Sequence, residues 1–164
     1  MNFEEVDPSA NGFNLICLWA AVDGNASLLR LLLSKMKNQP VDEFCKKREF
    51  AEMCFYFSCR FNKVNCAEVA YFESGNMKID DMRVRHIQNP LVYATARNMK
   101  EMVRFLLKVG ANPLVFSGSD TPIEIAKNLK DKDIYYLLKA AAEGSSTLSL
   151  KLRMFTREFK WPSL

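Results

Sequence analysis

Five cysteines (Cys17, Cys45, Cys54, Cys59 and Cys66) and one histidine, His86, are the side chains best suited to nucleophilic or soft-metal chemistry. A thiol beside an imidazole makes a nucleophile–base pair, provided a third group orients the base. No such third group stands at a recognisable spacing, and the chain is not expected to be an enzyme. A structural zinc site needs closer ligand pairs and more than one histidine, and no CxxC pair occurs. The odd number of cysteines, placed in apolar patterns, reads as reduced, buried thiols of a cytoplasmic, reducing compartment. The stretch SGNMK, residues 74–78, lacks the second glycine and the Lys-Ser/Thr ending of a phosphate loop. Glu4-Glu5 and Asp80-Asp81 read as solvated loop charge. No cofactor, metal or catalytic residue is expected.

The elements that would position any site come next. The 164 residues suggest one domain, and 49% hydrophobic with 26% charged residues is the balance of an ordinary globule rather than a disordered chain. The densest apolar stretch, Phe50 to Phe61, is too short to span a bilayer and is broken by Glu52, Ser58 and Arg60. The N-terminus, MNFEEVDPSANG, is acidic and is not expected to act as a secretory signal. The net charge of +4 is uneven: after Gly144, Lys151, Arg153, Arg157 and Lys160 face Glu158 alone, which leaves the remainder at +1. That remainder has no broad basic footprint for nucleic acid.

A pattern recurs along the chain. In NPLVYATARNMKEMVRFLLKVGANP, residues 89–113, Asn89 is placed to cap a helix that begins at Pro90. Leu91, Ala94 and Thr95 give it a small-residue face, and Asn98 breaks it. Met99, Met102, Val103, Leu106 and Leu107 mark a second helix by spacings of three and four. Gly110 stops that helix and Pro113 prevents its continuation. Thr121 and Pro122 restart the pattern 32 residues after Asn89, with Glu124 completing a capping box. Ile123 and Ala126 then correspond to Leu91 and Ala94, while Ile134, Leu137 and Leu138 correspond to Val103, Leu106 and Leu107. Asn14–Lys35 repeats the alanine pair (Ala20-Ala21), the break (Gly24-Asn25) and the leucines (Leu29, Leu32, Leu33). The 74 residues from Ala20 to Ala94 leave room for one more, degenerate copy. In that copy Asp42 is placed to cap a first helix, and a second runs from Val64 to Gly75. Lys78–Gln88 is expected to be a loop or hairpin.

A period near 33 residues with a TPLHxAA start, a mid-repeat break and a VxxLLxxGA end is the signature of ankyrin repeats, and this sequence resembles that family. Residues 89–113 match throughout, TPIEIAKNLKDKDIYYLL matches with one residue fewer, and Asn14–Lys35 matches in part. The resemblance implies an all-α solenoid of stacked helix-turn-helix units with short hairpin loops and a C-terminal capping segment. Repeats would fall at about 12–41, 42–77, 86–113 and 118–143 in an array over 1–143, followed by a tail at 144–164. Two departures stand out. The family histidine that ties neighbouring repeats is Val92 in one copy and Glu124 in the next, and the hairpin glycine is displaced.

The resemblance further implies binding through loop tips and first-helix faces. By position in the repeat, the outward candidates are Asp23, Arg85, His86, Gln88, Arg97, Phe116, Asp120 and Asn128, with Val22, Ala96, Val109, Ser117 and Leu129 beside them. Phe116, in GANPLVFSGSD, has little intramolecular reason to be at a loop tip. The run Phe55-Tyr56-Phe57 with Phe61 is expected in the core. In the tail, Leu148, Leu152, Phe155 and Phe159 form a helical stripe with Lys151, Arg153 and Arg157 off it. Either it caps the last repeat or it is a basic amphipathic segment for a membrane or a partner groove. The expected function is a monomeric, non-enzymatic adaptor or inhibitor that binds another protein. A small stand-alone array is similar to those that pathogens deliver into host cells.

Overall fold

A computed structural model describes residues 11–36, 41–75, 77–81, 89–116, 120–129 and 132–143. The described chain is all-α, with eight α-helices. They are α1 (Asn11–Asp23), α2 (Ala26–Lys35), α3 (Val41–Arg60), α4 (Val64–Glu73), α5 (Pro90–Ala96), α6 (Lys100–Lys108), α7 (Pro122–Lys127) and α8 (Asp133–Ala142). One 3-10 turn, Ile79–Asp81, precedes α5. The tail beyond Glu143 and the segment around Arg85, His86 and Gln88 lie outside the described residues.

Local chemistry sets these boundaries. The Asn89 side chain accepts the Leu91 N–H at 2.9 Å and Pro90 occupies the first turn of α5. Thr121 and Glu124 cap α7 reciprocally: the Glu124 carboxylate accepts the Thr121 N–H at 2.7 Å, and the Thr121 hydroxyl accepts the Glu124 N–H at 3.4 Å. Helix α3 begins at Val41, so Asp42 falls inside its first turn rather than capping it.

Three of the helix pairs share one connection. A residue with positive φ ends the first helix: Gly24 at 95°, Asn62 at 57° and Asn98 at 56°. The next residue, Asn25, Lys63 or Met99, donates its N–H five residues back, to Ala20, Ser58 or Ala94, at 2.8 to 2.9 Å. This is the Schellman stop, which turns the chain sharply and satisfies carbonyls the helix leaves open. The accepting residues are all small and buried, which lets neighbouring helices approach.

Within each pair the two helices pack on each other. Between pairs, α1 packs on α3, α3 on α5 and α5 on α7; α2 packs on α4, α4 on α6 and α6 on α8. The core lies between these two rows, built from Leu29, Leu32 and Leu33 of α2, Cys66 and Val69 of α4, Met102, Val103 and Leu106 of α6, and Ile134 and Leu138 of α8. None of these short pairs could bury this surface alone, so the burial energy resides in the stacking.

The second and third helix pairs share an aromatic centre. Phe55, Tyr71 and Phe105 form a triangle with ring centroids 6.3, 6.4 and 6.4 Å apart. Each such ring pair adds about 0.5–1.5 kcal/mol beyond its buried area. Phe55 and Tyr56 are buried and Phe57 half-buried, whereas Phe61 is exposed. Phe61 lies just beyond the last turn of α3, beside the Asn62 stop, where the chain leaves the core face.

Candidate interaction surface

The sequence-level candidates fall into two groups at opposite ends of the first helices. Asp23 ends α1, Arg97 caps the C-terminus of α5 and Asn128 that of α7, all three exposed. Phe116 and Asp120 belong to the loop that enters α7 and are also exposed. A six- or seven-residue helix separates the two ends by roughly 10 Å. The five described candidates therefore line one row of helices without forming a single patch. Among their neighbours, Ala96 is exposed and Val22 half-buried, while Val109 and Leu129 are half-buried against the core.

Phe116 keeps 73% of its surface exposed. Its loop is nonetheless tied down. The Asn112 N–H donates to the Asp80 carboxylate at 2.9 Å, the Leu114 N–H donates to the Asn112 side chain at 2.9 Å, and the Val115 N–H returns to the Asn112 carbonyl at 3.2 Å. Asp80 also accepts the Asn89 side-chain N–H at 3.4 Å. Asp80 is exposed, as its reading as solvated charge has it, and it also makes bonds: one carboxylate oxygen accepts from Asn112 and the other from the α5 cap residue Asn89.

At the other end, the structure assembles residues that the sequence did not single out together. Arg60 donates to the Tyr56 hydroxyl at 3.2 Å. Its guanidinium carbon lies 5.5 Å from the centroid of the Tyr93 ring, and that of Arg97 lies 5.6 Å from the same centroid. Tyr56, Arg60, Tyr93 and Arg97 thus form a ladder across α3 and α5. The available signal was a repeated spacing: YFSCR and YATAR each place Tyr four residues before Arg at a helix C-terminus. Tyr56 beside Arg60 holds that guanidinium above its already high ordinary pKa, so it stays charged. Among the described residues, neither arginine has a carboxylate partner within ion-pair distance.

A third exposed feature lies on α1. Leu15 and Trp19, one turn apart, are 60% and 71% exposed. The helix is apolar nearly all round, so spacing alone did not distinguish its outer face.

Cys17, Cys54, Cys59 and Cys66 are free thiols, all buried. Burial pushes Cys17 up to about 12 and Cys66 up to about 11, and raises Cys54 and Cys59 further. These groups are protonated at neutral pH and serve as small apolar core residues, with Cys66 also directed at the Ala20 carbonyl, 3.7 Å away. Among the described residues, no three His, Cys, Asp or Glu side chains gather as a metal site, and no helix is long and apolar enough to cross a membrane. No family model matches the chain, and no curated protein is significantly similar to it.

Proposed function

We propose that the chain is a divergent ankyrin-repeat array that binds another protein, as an adaptor or inhibitor without catalysis of its own. Support for the array comes from the in-order packing of successive helix pairs and from the repeated Schellman stop. Support for binding comes above all from Phe116, an exposed aromatic side chain that directly follows the hydrogen-bonded turn at Asn112–Val115. Surface aromatics of this kind are disproportionately the anchors of protein interfaces. A turn already closed by hydrogen bonds lowers the ordering cost of binding on its side of Phe116. Arg97 and Asn128, at the far end of the same row, would extend the contact.

The test is affinity capture with wild type and a Phe116→Ala, Arg97→Glu double variant of matched thermal stability, read by mass spectrometry. A protein retained by the wild type and lost by the variant is expected. Identical captures from both baits would overturn this surface as the binding face.

A further inference from the structure

We propose that the Tyr56–Arg60–Tyr93–Arg97 ladder recognises an acidic segment of the partner protein. This inference rests on the reading that the first-helix row is the binding face, and it adds the chemistry of what binds there.

The geometry carries the argument. Two guanidinium groups share one tyrosine ring, each within 5.6 Å of its centroid, so they lie within about 11 Å of each other. Each cation gains from the negative face of the ring, but the two repel one another. The negative ends of α3 and α5 explain one cation at each helix terminus. They do not explain why both converge on Tyr93. An anion bridging the two guanidinia relieves the repulsion, and planar guanidinium forks match carboxylates in a bidentate manner. Stacking on Tyr93 and the bond to Tyr56 preorganise the donors, which lowers the entropy lost on binding.

The dimensions favour a peptide. In an extended segment, alternate side chains project to the same side about 6.6–6.8 Å apart. Two acidic residues at that spacing reach both guanidinia. A nucleic acid fits less well, because the chain before the tail carries a net charge of only +1 and the row is flanked by exposed Asp23 and neutral Asn128.

The experiment titrates the isotopically labelled full chain with a peptide of five Gly-Glu repeats and follows the side-chain Nε–Hε signals of Arg60 and Arg97 by NMR. Saturable shifts at both arginines and at the Tyr93 ring are expected. An Arg60→Gln, Arg97→Gln variant should bind at least tenfold more weakly. An Arg48→Gln, Lys139→Gln variant, which removes the same charge elsewhere, should bind like wild type. If the Gln double variant does not fold, Arg60→Lys and Arg97→Lys keep the charge and should each still weaken binding several-fold through loss of the planar fork.

Equal binding of a Gly-Gln peptide, unchanged affinity in the arginine variants, or no shift at all would overturn the proposal. Tighter binding of a ten-nucleotide oligothymidylate at the same residues would overturn it in favour of nucleic acid. Failure of the peptide leaves Phe116-dependent capture standing. Unchanged capture by a bait carrying Phe116→Ala alone, with peptide binding intact, would remove Phe116 from the binding face but leave the anion site.

Discussion

The Asp80 carboxylate accepts the Asn112 backbone N–H at 2.9 Å across 32 residues of sequence. It therefore couples the loop before α5 to the loop before α7, and through Asn112 it holds the loop of Phe116. Asp80→Ala should cost about 0.5 kcal/mol, the low end for a hydrogen bond, because the bond is exposed to solvent. Asp80→Asn keeps an acceptor and should retain most of the stability. Hydrogen exchange at the Asn112 amide decides the matter: protection should be lost in the Ala variant and kept in the Asn variant. Equal protection in all three forms would show that the loop holds itself.

Thr95 presents the opposite situation. Its hydroxyl is fully buried in α5 and has no hydrogen-bond partner. Leaving such a group unpaired costs about 1–3 kcal/mol, whereas an apolar isostere avoids the cost. Thr95→Val should therefore raise stability by about 1 kcal/mol, seen as a higher urea midpoint with an unchanged slope. A lower midpoint would mean that the hydroxyl is satisfied in solution.

Much of the fold was legible because its punctuation is chemical. Asn89-Pro90, Thr121-Pro122-x-Glu124, Gly24, Asn98 and Gly110 each act through a backbone requirement that few residues meet, and each marks a boundary in the structure. Asp42 misled because an acidic residue suits the first turn of a helix as well as its cap. The surface was less legible. Phe116 and Arg97 were expected to face outward, and both are exposed. The approach of Arg60 to Tyr93 depends on how α3 and α5 pack, which no spacing within either helix encodes. Asp80 was missed for the same reason, since its partners lie 9 and 32 residues away.

The capping box of α7 gives a pH dependence with a definite sign. Hydrogen bonds from the Thr121 backbone, and then from its hydroxyl, hold the Glu124 carboxyl below its ordinary value of 4.5. A depressed acid contributes stability that is complete above that ordinary value and is lost as pH falls through its folded value. The stability difference between wild type and Glu124→Gln should be constant at neutral pH and shrink below about pH 4.5. Thr121→Ala removes the cap itself and should cost about 1 kcal/mol at pH 7. Thermal melts of the three forms between pH 3 and 7 provide the measurement. A difference that grows on acidification would contradict the sign.

The shared turn makes a prediction that separates its three copies. Asn98 holds φ at 56° and Asn62 at 57°, where a β-carbon costs about 1–2 kcal/mol unless the side chain is Asn or Asp. Asn98→Gly should be neutral or slightly stabilising, Asn98→Ala should cost about 1 kcal/mol, and Asn98→Val should cost more. Asn62 should follow the same order. Gly24, at 95°, should tolerate asparagine less well, because that φ lies farther from the left-handed region that asparagine adopts, whereas the Lys63 side chain 2.9 Å from a β-carbon there is flexible and can move aside. Gly24→Asn in a Lys63→Ala background should recover little of the loss. Urea midpoints for this set test whether the turn or its neighbour sets the cost. If the Lys63→Ala background recovers most of the loss, the contact between the first two helix pairs, and not the turn, sets the cost.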